Sequence, residues 1–140
     1  MSIENYKPDF LLTAAYRLNA ESLKRHGIRA VLVDLDNTLT AWNNPDGTPE
    51  MRSWLAEMKA TNIKVIVVSN NNHDRVKRAV ERFDVPFVSR AMKPFDMGIK
   101  KALAVLGEKP EDAVMVGDQL MTDIRAAKRA GVRCVVVQPL

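Results

Sequence analysis

The stretch Val31-Leu32-Val33-Asp34-Leu35-Asp36-Asn37-Thr38-Leu39 constrains the chain more than any other. An apolar run with β-branched residues, too short for a core helix and stopped by polar residues, reads as a buried strand of a parallel sheet. It delivers two aspartates one residue apart. Asp34 and Asp36 then fall at the strand's carboxyl end, where the loops leaving neighbouring strands diverge and open a crevice for ligands. An isolated Asp-x-Asp more often caps a turn than carries out chemistry. The downstream sequence reverses that preference.

A short helix is predicted over Glu21 to His26, stopped by Gly27 in the left-handed conformation. Thr48-Pro49 opens a second helix with a cap residue and a proline at the first helical position, and Met51, Trp54, Leu55 and Met58 fall at core spacing. Lys64 to Val68 is a second strand ending in Ser69-Asn70-Asn71-Asn72. A helix over His73 to Phe83 buries Val76, Ala79, Val80 and Phe83, and a third strand covers Val85 to Val88. Lys93-Pro94 is read as the start of the next helix, which buries Phe95, Ile99, Ala102, Leu103 and Leu106 and ends at Gly107. A fourth strand, Ala113 to Val116, leads into Gly117-Asp118-Gln119-Leu120-Met121-Thr122-Asp123. A helix from Thr122 to Ala130 and a fifth strand, Val132 to Val137, complete the pattern. Strands alternating with helices predict an α/β, Rossmann-like three-layer sandwich around a five-stranded parallel sheet.

A chain of 140 residues is expected to be a single domain, with residues 1 to 27 an extension that packs on the core. The single Cys134 excludes an intramolecular disulfide and reads as a packed thiol, which suits a reducing, cytoplasmic setting. The N-terminus has no basic region before an apolar segment, so neither a signal peptide nor a membrane span is expected. The net charge of +4 is uneven: nine Lys or Arg face four Asp or Glu between Lys64 and Lys101, a local excess of +5. A basic zone beside an acidic pair suits an anionic ligand, although a solvated helix face accounts for most such side chains.

Each of the first four strands ends in a chemically useful group: Asp34 and Asp36, then Ser69, then Lys93, then Asp118 with Asp123. In a parallel sheet these ends share one edge. Singly, each has a dull explanation as a helix cap, a turn former or a surface charge; jointly they make a site. Two carboxylates about 5 Å apart repel by roughly 3 kcal/mol at an effective dielectric near 20. A hard divalent cation relieves that repulsion. An all-oxygen donor set suits Mg²⁺, while the lack of a Cys or His cluster argues against zinc.

These residues resemble, in order, the four motifs of the haloacid dehalogenase-like (HAD) superfamily: Asp34-Leu-Asp-Asn-Thr-Leu39, Ser69-Asn70, Lys93-Pro94 and Gly117-Asp118-Gln-x-x-Thr-Asp123. Their wording, with the Lys7-Pro8-Asp9 lead-in, further resembles the small subfamily IIIA phosphatases of the YqeG type, a group related to phosphatidylglycerophosphate phosphatases. The resemblance implies a HAD-like fold and a phosphatase. Asp34 would be the nucleophile that forms an aspartyl-phosphate, and Asp36 the acid and then the base. Thr38, Ser69, Asn70 and Lys93 would hold the phosphoryl group. Mg²⁺ would be bound by Asp34, Asp36, Asp118 and Asp123. An acid at Asp36 favours phosphoryl transfer over dehalogenation.

The 29 residues from 40 to 68 are nearly filled by one helix and one strand, so no cap domain is expected. An open site favours a bulky substrate, such as a phospholipid head group at an anionic membrane that the chain contacts peripherally, or a second protomer that closes it. A phosphorylated sugar or nucleotide is the alternative, as is a non-catalytic phospho-ligand module on the same fold. A response-regulator receiver is disfavoured because the third strand ends in Val88-Ser89-Arg90, without its phosphorylated aspartate. No nucleic-acid partner is expected, because the basic zone lacks the interleaved aromatics that stacking on single strands needs.

Overall fold

The apolar run before Asp34 forms the central strand of the sheet, flanked on both sides by further β-branched runs. In the computed structural model, residues 10–12, 18–35, 49–91, 93, 95–117 and 120–137 are described, with the backbone alone for 10–12, 120–124 and 137. In chain order the elements are β1 (Phe10–Leu12), α1 (Ala20–Arg25), β2 (Ala30–Val33), α2 (Pro49–Ala60), β3 (Lys64–Val68) and α3 (His73–Val80). They are followed by β4 (Phe87–Val88), α4 (Met97–Leu106), β5 (Ala113–Gly117), α5 (Leu120–Ala130) and β6 (Arg133–Val137). The strand order is β1-β6-β5-β2-β3-β4, and every pairing is parallel.

Alternation along the strands divides the interior into two cores. Val31 and Val33 of β2 pack with Met51, Trp54 and Met58 of α2 and Val76 and Val80 of α3. Ala30 and Leu32 point the other way, toward Ile99, Ala102 and Leu103 of α4 and Ala126 and Ala127 of α5. A strand whose both faces are covered must be apolar at successive positions, and all four residues of β2 are buried. Each buried Val, Leu, Ile or Met side chain contributes about 1.5–3 kcal/mol relative to leaving it in water. Cys134 is buried in the second core, as a packed thiol should be.

Chain order then fixes where the ligand crevice opens. From β2 the chain winds one way to β3 and β4, crosses back to β5 on the opposite side of β2, and continues to β6. The loops leaving β2 and β5 therefore part company at their carboxyl ends, a topological switch point. Val33 is in register with Val116, and the Asp34 N–H donates to the Val116 carbonyl at 2.9 Å, so the two strands stay paired up to the first aspartate.

Several elements differ from the sequence expectation. The sheet has six strands, because Phe10–Leu12, within the N-terminal extension, adds to β6 along its edge. Helix α4 begins at Met97 rather than at Pro94, which lies outside the described residues, and Asp96 is its N-cap. Phe95, counted with the helix core from its spacing, precedes the helix and is 55% exposed. Helix α3 stops at Val80, and Asp84 takes a positive φ of 53° in the turn that follows, leaving Phe83 only partly buried. The third strand shortens to Phe87–Val88. Thr48 also lies outside the described residues, but α2 does open at Pro49.

At the opposite edge of the sheet one acid ties three elements together. Just past α4, which Gly107 ends at a φ of 68°, Glu108 receives Lys64 at 2.9 Å and Arg29 at 3.3 Å. Its side chain is 6% exposed, whereas those of Arg29 and Lys64 are largely open to water. The hydrogen bond from Lys64 chiefly, with the charges of Lys64 and Arg29 acting against partial burial, holds the carboxyl below its ordinary value of 4.5. A depressed folded-state pKa contributes stability that is complete above the unfolded value and disappears as pH falls through the folded one. Glu108→Gln should therefore cost about 1 kcal/mol near neutral pH, a modest amount because both cations are solvated. In thermal unfolding, the gap between parent and variant should close as pH falls below 4.5. A gap that widened on acidification would contradict the assignment.

Candidate active site

The buried polar or charged residues among those described are Asp34, Ser69 and Lys93, at 7%, 2% and 6% exposed. They come from three separate strand ends and meet at the carboxyl edge of the sheet. Asp34 follows β2 directly, Ser69 follows β3, and Lys93 sits in the connection from β4 to α4. Lys93 Nζ donates to Asp34 Oδ1 at 2.8 Å and to the Val68 carbonyl at 3.2 Å. Burial of a lone carboxylate or ammonium carries several kcal/mol of desolvation, which pairing and further hydrogen bonds must offset. Such a pair at a ligand crevice marks a functional site better than it marks a stabilising contact.

The loops after β3 and β4 are fastened to each other, and this is what aims Lys93. Ser69 N–H donates to the Val88 carbonyl at 2.9 Å, Ala91 N–H to the Ser69 carbonyl at 2.9 Å, and Arg90 N–H to the Asn71 carbonyl at 2.8 Å. Arg90 adopts a φ of 47°, a left-handed conformation uncommon outside glycine that turns the chain back toward β3. The Asn70 side chain then clamps the lysine backbone from both sides, accepting from Lys93 N–H at 2.8 Å and donating from Nδ2 to the Lys93 carbonyl at 3.1 Å.

Ser69 and Asn70 are left with defined roles. Ser69 Oγ accepts from the Asn71 N–H at 3.1 Å, so one lone pair is committed and its proton is the group that can be offered to an anion. Asn70 spends its side chain on the Lys93 backbone. This clamp was not legible in the sequence, where Asn70 reads only as a phosphate contact. Asp36, Thr38 and Asp118 lie outside the described residues, and Asp123 is placed on α5 by its backbone alone. Gly117, the residue before Asp118, ends β5 beside β2.

Two further residues serve the site without being obvious in the sequence. A Cβ built on Gly98 would lie 2.6 Å from the Ala91 Cα and 2.7 Å from its carbonyl oxygen. Only glycine lets the first turn of α4 lie against Ala91, where Gly98 N–H donates to the Ala91 carbonyl at 3.2 Å and closes the loop that carries Lys93. The available signal was a glycine in the first turn of a helix, a position where propensity gives it no advantage. Arg90 stands at the rim, its exposed side chain following β4. A groove of about 870 Å³ opens elsewhere, lined by Arg52, Leu55, Lys59, Phe83 and Leu106 among others, and contains none of the three buried polar groups.

Could the site hold a metal ion? The candidate donors are carboxylates and a carbonyl, which are hard oxygens suited to Mg²⁺. The one candidate carboxylate whose side chain is described, Asp34, has 10% of that side chain exposed at the crevice. Neither buried Cys134, which lies in the second core, nor exposed His73 joins it. Among the described residues there is no group of three or more His, Cys, Asp or Glu that could hold a metal. The hard oxygen of Asp34 fits Mg²⁺, while the other expected ligands, Asp36 and Asp118, lie outside the described residues and Asp123 is described by its backbone alone.

Comparison with known proteins gives a consistent picture. A family model described as haloacid dehalogenase-like hydrolase matches residues 3–131. A probable phosphatase, YqeG, from Bacillus subtilis is 38% identical over 96% of this chain and 78% of its own length. A phosphoglycolate phosphatase from Aquifex aeolicus is 34% identical over 61% of this chain and 44% of its own length. Among solved structures, CbbY from Rhodobacter sphaeroides in complex with phosphate superposes with a TM-score of 0.64 at 20% identity, covering 81% of this chain and 87% of that one. That likeness is one of fold.

The Gly98–Ala91 contact yields a prediction about both stability and turnover. Gly98→Ala must push α4 away from Ala91, at about 1–3 kcal/mol for an overpacked contact. Because the same contact closes the loop around Lys93, turnover should fall at least tenfold in variant protein that circular dichroism shows to be folded. A folded variant with parental turnover would show that the loop tolerates the displacement.

Proposed function

The chain belongs to the haloacid dehalogenase-like hydrolase family and is a phosphatase, and from that premise we propose a Mg²⁺-dependent phosphomonoesterase that works through an aspartyl-phosphate on Asp34. The observation that carries this reading is the buried Asp34–Lys93 pair, 2.8 Å apart at the switch point of the sheet. A nucleophilic carboxylate must be ionised, and a cation in contact favours the charged form. The same cation offsets charge as a phosphoryl dianion approaches Asp34.

In this reading Ser69 Oγ–H, the Asn70 main-chain N–H, Thr38 and Lys93 hold the phosphoryl oxygens. An Asp34 carboxylate oxygen bonds to phosphorus while the ester P–O bond breaks, and the leaving oxygen takes the proton of the Asp36 carboxyl group. Asp36, now a carboxylate, takes a proton from water. The water oxygen bonds to phosphorus as the Asp34–phosphorus bond breaks, which releases inorganic phosphate and restores both acids. Asp34, the Asp36 carbonyl, Asp118 and Asp123 would hold Mg²⁺, which would supply charge neutralisation for the transferring group.

The substrate proposed is an anionic phospholipid monoester such as phosphatidylglycerophosphate. Three features support it: the likeness to the YqeG-type phosphatase, the local charge excess of +5, and the short connections around the site. Helix α2 and β3 lie within residues 49–68, and α3 and β4 lie between Ser69 and Lys93. Among the described residues no cap domain covers the site, which suits a substrate presented by a surface. A soluble phosphomonoester is the second reading, favoured by similarity to enzymes named phosphoglycolate phosphatase and phosphoserine phosphatase.

Three measurements test these proposals. Asp34→Asn should abolish turnover while leaving the fold intact, because an amide is a poor nucleophile; near-parental kcat would remove Asp34 from that role. Exhaustive chelation should stop phosphate release from an aryl phosphate, and restoring Mg²⁺ should recover it. For substrate choice, kcat/KM on phosphatidylglycerophosphate in anionic vesicles should exceed that on sugar and nucleotide monophosphates. A hundredfold preference for a soluble metabolite, about 2.7 kcal/mol of transition-state stabilisation, would overturn the lipid assignment.

A further inference from the structure

The exposed large hydrophobic residues among those described are Phe95, Met97 and Val105, at 55%, 66% and 57%. Single exposed apolar side chains need no explanation. These three fall within one short stretch, and two of them belong to the loop that carries Lys93. That loop leaves Ala91 and returns to it through the Gly98 N–H bond of 3.2 Å. Its inner residue, Lys93, has a side chain 2% exposed, while Phe95 and Met97 face solvent.

The charges around this apolar tip are mostly of one sign. Arg129 lies over the Phe95 ring at 5.4 Å, and exposed Arg90 precedes the loop. Lys101 follows Met97 by one helical turn, and Val105 follows Lys101 by another, so the three share a stripe on α4. The nearest acid in the chain, Asp96, is joined to Lys100 at 3.1 Å. Exposed aromatic and thioether groups set among arginines and lysines match the composition of surfaces that rest in an anionic lipid interface.

The geometry points to a membrane-docking corner formed by Phe95, Met97, Lys101 and Arg129 along α4 and α5, which brings the loop that carries Lys93 to an anionic bilayer. Its role rests on the lipid-monoester reading of the adjacent site. Docking there sets the crevice beside the head groups, and because Lys93 and Phe95 share one closed loop, the docking groups lie two residues from the lysine that meets the phosphoryl group.

The test is co-sedimentation with vesicles of phosphatidylcholine alone or mixed with phosphatidylglycerol, using the full chain and two double variants, Phe95→Ser/Met97→Ser and Lys101→Gln/Arg129→Gln. Arg52→Gln/Lys59→Gln, in the groove away from the site, serves as the control for general charge. The parent should bind the anionic vesicles and not the neutral ones. Raising salt from 0.1 to 1 M, which shortens the Debye length from about 10 to about 3 Å, should weaken binding. Each docking variant should lose at least tenfold in partitioning, with kcat/KM on a soluble aryl phosphate and the melting temperature unchanged, and the control should bind as the parent does. Equal binding by parent and docking variants overturns the proposal, as does equal loss in the control, or a parent dimer that the Phe95→Ser/Met97→Ser change dissolves. Lipid hydrolysis unaffected in the docking variants would remove the docking corner and leave the substrate reading standing. Vesicle binding that depends on the corner, with no hydrolysis of the lipid monoester, would do the reverse.

Discussion

A buried aspartate and a buried lysine 2.8 Å apart set the terms for the rest of this molecule. Neither charge is tolerable alone in an interior, and a buried ion pair is weak evidence for stability, since well-packed apolar residues of similar volume often do as well. The fold must therefore hold them together against their own desolvation, and it does so with rigid parts. Asp34 is fixed by β2, which is buried on both faces and paired on both edges. Lys93 lies on no regular element, and its position is secured by the Asn70 clamp, the Val68 carbonyl and the close approach of Gly98 to Ala91.

Parallel topology makes this economical. Every strand of the sheet runs the same way, so groups placed at the ends of β2, β3 and β4 converge on one edge without any long excursion of the chain. The opposite edge is then free for structural ties such as the bonds of Glu108 to Arg29 and Lys64. Chemistry and anchoring are separated by the length of a strand. Substitutions at Glu108 should accordingly act on stability, while substitutions at Asn70 or Gly98 act on the position of a charged group.

Much of this was legible in the sequence, for physical reasons that vary by residue. The strand Lys64 to Val68 and the helix opening at Pro49 appear as read, because an unbroken β-branched run and a proline at a helix start admit few alternatives. Asp34, Ser69 and Lys93 were legible because strand ends in a parallel sheet must share an edge. Phe95 was misassigned because its spacing to Ile99, Ala102 and Leu103 is helical, yet the helix begins two residues later at Met97. Proline after Lys93 read as a helix start, whereas the chain first completes the closed loop that Gly98 permits. The additional strand β1, three residues long, is too short for any periodicity to show. The Asn70 clamp was hidden because it links side chain to backbone across 23 positions, and no local pattern encodes such a bond.

The account stands or falls on what happens to the carboxylate of Asp34 during turnover. Borohydride reduces an acyl phosphate to an alcohol, so enzyme quenched during turnover and then reduced should carry homoserine at position 34, detectable by peptide mass spectrometry. The modification should appear only when substrate is present. Intact aspartate at position 34, with vigorous turnover before the quench and homoserine either absent or at another aspartate, would contradict it.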